Sequence, residues 1–212
     1  GDGRDEIGVV RAKGFGFNLQ SFLNPDKFFA EIIKSFFNKG EIRFIIYDDA
    51  STNFKILFEG GKDWGDANSA TSIAFGDVDG DGNDEIGVTR FARTNGRYII
   101  YDFSNGNVST LLEGGTEWGD AYFGTSIAFG NIDGDKAEEF AVGRFSSTNN
   151  RLWLYDDKNN SYKLLGGDGN NWGAANAMIT SLAFGDVDGD GKMELGITRQ
   201  SFSNERYFIY RY

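Results

Sequence analysis

The chain has 212 residues, 40% of them apolar and 16% aromatic, with 30 Gly, one Pro, no Cys, no His and a net charge of -11. That supplies a sizeable core threaded by many tight turns, and it excludes a disulfide framework, thiol chemistry and the histidine that most general bases and zinc sites rely on. No run approaches the ~18 consecutive apolar residues of a membrane span, no N-terminal pattern reads as a signal peptide, and no basic face is visible that would suit a nucleic-acid backbone.

In chain order, Gly1-Asp2-Gly3 aligns with Gly80-Asp81-Gly82, so the sequence opens inside an acidic loop and runs on into an apolar strand. The stretch at about 14–40 then interrupts the strand pattern. Asn24 as N-cap, Pro25 at the first helical position and Lys39-Gly40 at the stop predict an amphipathic helix of about four turns, with Phe28, Phe29, Ile32, Ile33, Phe36 and Phe37 on one stripe. RFIIYDD at 43–49 then reads as a strand. It recurs as RYIIYDF at 97–103, RLWLYDD at 151–157 and RYFIYRY at 206–212.

The sequence SIAFGDVDGDGNDEIGVTR at 72–90 returns as SIAFGNIDGDKAEEFAVGR at 126–144 and SLAFGDVDGDGKMELGITR at 181–199. Phe75, Phe129 and Phe184 mark the period, which is that of a stacked repeat. One period holds four predicted strands: A (SIAFGDV), B (EIGVTRF), C (RYIIYDF) and D (VSTLLEGG). Short strands with Gly and Asn turns in regular repetition predict an all-β chain of four-stranded blades, a β-propeller. The repeats fall at about 1–70, 71–124, 125–179 and 180–212, as B, C, D, then two full blades, then A, B, C, about three and a half in all. Such an arc leaves unpaired edges, which predicts that further chain or another copy completes the ring.

Half of the 32 acidic residues sit in the loops between A and B. Calcium is a hard cation that takes six to eight oxygens at about 2.3–2.6 Å, and a loop that curls on small residues presents alternate side chains to one centre. Asp77, Asp79, Asp81, the Asn83 carbonyl and Glu85 have that spacing, as do Asp186, Asp188, Asp190, the Lys192 carbonyl and Glu194. In the third loop Asn131, Asp133, Asp135, the Ala137 carbonyl and Glu139 hold the same places. Asn131 there replaces an Asp and Lys136 a Gly, which predicts a weaker or empty site. Calcium suits such a wholly protein-made cage better than magnesium.

FGDVDGDGNDEIGV at 75–88 resembles the FG-GAP repeat of integrin α-subunit propellers and the related VCBS-type repeats of surface proteins. The resemblance covers the chain apart from the insertion. It implies a β-propeller with calcium in the A to B loops, held by the residues just named.

GGKDWGDAN, GGTEWGDAY and GGDGNNWGAAN place Trp64, Trp118 and Trp172 just before strand A, on the opposite face from the acidic loops and near Arg90, Arg144 and Arg199. Two readings compete. The rings stack on sugars, as in a propeller lectin with sites between blades, or they wedge between blades while the arginines pair within the repeat. The leading expectation for function is a calcium-stabilised, non-catalytic module for adhesion or assembly, bound to a protein or glycan ligand by its loop face. No nucleophile and base pair stands out to suggest an enzyme. Millimolar calcium outside the cell would saturate even weak loops, which predicts an extracellular or cell-surface location.

Overall fold

The computed structural model describes residues 7–10, 42–64, 69–92, 95–104, 107–118, 123–146, 151–168, 179–200 and 207–211. These residues form four antiparallel sheets, each a meander whose strands neighbour one another in chain order. The first contains β1 (Ile7–Val10), β2 (Phe44–Tyr47) and β3 (Ile56–Gly60). The second contains β4 (Ser69–Gly76), β5 (Glu85–Phe91), β6 (Tyr98–Ser104) and β7 (Asn107–Gly114). The third contains β8 (Gly124–Gly130), β9 (Glu139–Arg144), β10 (Leu152–Tyr155) and β11 (Leu164–Asp168), and the fourth β12 (Ile179–Gly185), β13 (Glu194–Arg199) and β14 (Tyr207–Tyr210).

The chain is thus all-β, in sheets of blade size. Among the described residues the only helical turn is a short 3-10 turn at Ala50–Thr52. The helix expected within 14–40, with its Phe28 to Phe37 stripe, lies outside the described residues.

The repetition extends to irregularities. The first strand of each complete pairing slips by one residue at the same place, between Ala70 and Ser72, Gly124 and Ser126, and Ile179 and Ser181. A bulge repeated at one register position is encoded by the repeat rather than an accident of one sheet.

Successive sheets pack face to face, because alternate residues of each strand point to opposite neighbours. Ile99 and Tyr101 of β6 join Phe44, Ile46 and Trp64 in the core against the first sheet. Tyr98 and Ile100 of the same strand join Phe140, Val142 and Tyr155 against the third. A third core, with Leu152, Leu154, Ile179 and Leu195, joins the third sheet to the fourth.

The repeated phenylalanine fits onto glycine in the sheet before it. A Cβ added to Gly76 would lie 2.2 Å from the Phe129 Cβ, one on Gly87 2.6 Å from its ring, and one on Gly130 2.3 Å from the Phe184 Cβ. Only a bare backbone admits a ring so close. We expect Gly130→Val to lower stability by about 1–3 kcal/mol, the usual cost of overpacking, read as a fall in melting temperature. An unchanged melt would mean that the third and fourth sheets do not meet this way.

Candidate metal centre

The three β-strand pairs β4–β5, β8–β9 and β12–β13 carry their connecting loops on one face of the stack, with the β10–β11 turn beside them. Each loop is built alike. In the first, the Asp77 carboxylate accepts from the Asp81 N–H at 3.0 Å and the Gly82 N–H at 2.9 Å, and Asp81 accepts from the Asn83 N–H at 2.8 Å. Gly80 and Gly82 sit at φ of 73° and 93°, a region in which an L side chain is strained. The loop 186–193 repeats this. Asp186 accepts from Gly189 at 2.6 Å and Gly191 at 3.0 Å, and Asp190 accepts from the Lys192 N–H at 2.9 Å.

The glutamate that opens the following strand turns back under each loop. Glu85 accepts from the Val78 N–H at 2.9 Å, Glu139 from Ile132 at 2.7 Å and Glu194 from Val187 at 3.0 Å. All three are buried. They sit beneath acids and away from water, and their protonation shows it. Burial first, and the Asp79 charge second, push the Glu85 carboxyl up to about 8. Burial, then Asp133 and Asp156, push Glu139 up to about 7 despite the Ile132 N–H. Asp81 moves the other way, held below the usual carboxylate range by the Asn83 N–H groups.

Asp77, Asp79 and Glu85 bring oxygens within 4.8 Å of one another, and so do Asp186, Asp188 and Glu194. Either group could hold a metal ion. Asp81 and Asp190 lie outside these clusters and serve the turn of their own loop. A cation of the chain stands at each group. Lys158 Nζ lies 2.7 Å from Asp79, and Arg211 bonds Asp188 while lying 3.3 Å from Glu194. Both side chains are substantially exposed and can swing away. In the third loop Asp133 and Asp135 cluster with Glu139 and, from the β10–β11 turn, Asp156 and Asp157.

Asn131 spends both ends on its own loop, its Oδ1 accepting from the Gly134 N–H at 2.6 Å and its Nδ2 donating to the Asp135 carbonyl. Ala137 is buried, and its N–H donates to Asp135 at 2.8 Å. Sequence reasoning missed Asp156, Asp157, Lys158 and Arg211. The signal was the Asp doublet that closes the C strands of the first and third repeats.

The loops are also tied to one another. The Glu138 N–H donates to the Asp77 carbonyl at 2.8 Å, and the Met193 N–H, at the equivalent place one repeat on, donates to the Asn131 carbonyl at 3.1 Å. A change of shape in one loop is therefore felt by its neighbour.

On the opposite face Trp64 and Trp118 do not offer rings to a sugar. They are 4% and 2% exposed, with Arg90 stacked 5.1 Å from one and Arg144 5.2 Å from the other. Trp64 Nε1 donates to the Tyr101 hydroxyl at 2.9 Å, and Arg144 donates to the Trp118 carbonyl at 3.0 Å. Arg199 is buried beneath Phe208, 4.9 Å from its ring centre. Of the two readings the geometry favours the wedge at both positions, with the rings buried against arginine and tyrosine. Trp172 lies outside the described residues. That face does carry a cavity of about 380 Å³ lined by Thr71, Phe123, Thr125, Phe145, Ile179 and Thr180.

Residues 131–197, from the third acidic loop to β13, match the sequence profile of the FG-GAP-like repeat.

Proposed function

We propose that this FG-GAP-type repeat protein is a calcium-stabilised, non-catalytic β-propeller module that docks a protein or surface partner outside the cell. The observation that carries the reading is the chain of linked acidic loops. Each has a buried glutamate turned back beneath it, and each is hydrogen-bonded to the next. Clusters of carboxylates are costly without a cation, and the oxygen-only donor set with glycine-permitted curling suits a hard, large ion. Calcium bound there holds neighbouring sheets in register rather than polarising a substrate. The acids placed on this face are committed to that task, which leaves the opposite face for a partner. Its cavity has three threonines at equivalent repeat positions and an apolar floor, with Phe123 partly exposed.

The test is the pair of substitutions Asp79→Ala and Asp188→Ala, melted with calcium and with chelator. Each should remove most of the calcium-induced gain at its own loop, about 2.7 kcal/mol at a calcium concentration of 100 times Kd, and change the chelated protein little. Equal losses under both conditions would show that the loops bind no metal.

A further inference from the structure

We propose that the third loop is a divalent-cation site with a ligand set of its own, in which Asp157 from the β10–β11 turn joins Asp135 and Glu139, with Asp133 and Asp156 alongside. The inference deepens the calcium reading above and rests on it. By its loop alone this repeat is the poorest of the three, since Asn131 stands where Asp77 and Asp186 open the others. The missing charge returns from another strand. Oxygens of Asp135, Glu139 and Asp157 lie within 4.8 Å of one another, as do those of Asp133, Glu139 and Asp156.

Two of these oxygens have nothing to bond. Asp157 is 0% exposed; its Oδ1 accepts from the Asn160 N–H at 3.1 Å, while Oδ2 has no partner. Glu139 is 1% exposed; its Oε2 takes the Ile132 N–H, while Oε1 has no partner. A buried carboxylate oxygen without a donor is destabilising, and here two belong to residues of one acidic cluster. Among the described residues no Lys or Arg makes an ion pair with any of the five acids, unlike the other two loops with Lys158 and Arg211. Lys158, the very next residue, turns to Asp79 of the preceding repeat.

A turn-capping role accounts for only half of Asp157. Asp49 holds the same place in the first sheet, where a turn of the same kind, with two residues at positive φ, takes the Ser51 N–H on Oδ1. On Asp157 that role uses Oδ1 and leaves Oδ2 unexplained. The sequence supplies a further sign: Phe103 and Tyr212 stand at this place in the repeats whose loops open with Asp77 and Asp186. In the third repeat the second acid, Asp157, thus stands where the loop lacks its first. An all-oxygen set of up to five carboxylates and loop carbonyls suits calcium.

The test counts calcium ions by native mass spectrometry and calorimetric titration with calcium chloride. In Asp77→Ala/Asp186→Ala, which weakens the other two loops, one calcium ion should remain, and adding Asp157→Asn should abolish it. In chelator, Asp157→Asn should melt at or above its parent, because it removes a buried unpartnered charge while keeping the cap. Retention of the ion after Asp157→Asn, or a double variant that binds none while the wild type binds two, would overturn the proposal and leave the loop reading standing. A wild type that takes up no calcium would overturn both. Equal destabilisation by Asp157→Asn in calcium and in chelator would assign Asp157 to the turn alone.

Discussion

Phe140→Ala lowers the unfolding free energy by about 3–5 kcal/mol, a large part of the 5–15 kcal/mol that a domain ordinarily has. Phe140 is 0% exposed and sits where the second and third sheets meet. Its ring stacks on Tyr155 at 4.9 Å and 13°, and Tyr98 and Phe129 lie at 5.9 Å and 6.2 Å. Truncation leaves a cavity that this aromatic cluster cannot close, since each ring is fixed by a strand register: Phe140 faces Phe129 on one side and Tyr155 on the other. Urea unfolding followed by circular dichroism gives the loss directly. Phe140→Leu, which keeps most of the volume, should cost less than half as much. If both variants fall by under ~1 kcal/mol, the sheets do not share this core.

Calcium and pH should act on stability together, and in opposite senses. Without metal, Glu85 titrates near 8 and Glu139 near 7, against 4.5 for an ordinary glutamate. The folded chain therefore keeps protons that the unfolded chain has released. Their contribution to stability is greatest below about 4.5, falls as pH rises toward the two folded values, and levels off beyond about 8. At the proposed calcium sites the metal would ionise the glutamates and protons would compete with binding, so in excess calcium stability should instead rise over the same window. At 100 times Kd each filled site adds about 2.7 kcal/mol, so the three loops together should separate the curves by about 8 kcal/mol at pH 8. Melting curves from pH 5 to 9 in calcium and in chelator read this gap. Two parallel curves would show that neither Glu85 nor Glu139 lies under a metal site.

The strand order of all four sheets was legible because the repeat carries both its apolar alternation and its turns. The SIAFG and EIGV segments became adjacent strands in the register that puts Phe75 opposite Ile86. The back-turned glutamate was legible too, as the last acid of the loop spacing. What escaped were contacts between elements far apart in sequence. Trp64 had two competing readings, a ligand platform or a wedge between blades, and nothing nearby in the chain shows which groups meet it: Arg90 lies over the ring and Tyr101 takes its N–H. The acids Asp156 and Asp157 were visible as part of RLWLYDD. Their relevance to Glu139 depends on the return of β10 along β9, which brings a doublet more than fifteen residues away to the mouth of the loop.

The fit of phenylalanine onto glycine gives the stack a direction. The second, third and fourth sheets each carry such a phenylalanine and a glycine-bearing strand, so identical units of this kind join head to tail. Contacts of that kind are heterologous: repeated, they close into a circle or extend without limit, and which occurs depends on the angle between units, not on the strength of the joint. In the fourth sheet, among the described residues, a Cβ on Gly185 would meet nothing within 4 Å. Copy number in such an architecture is a matter of curvature.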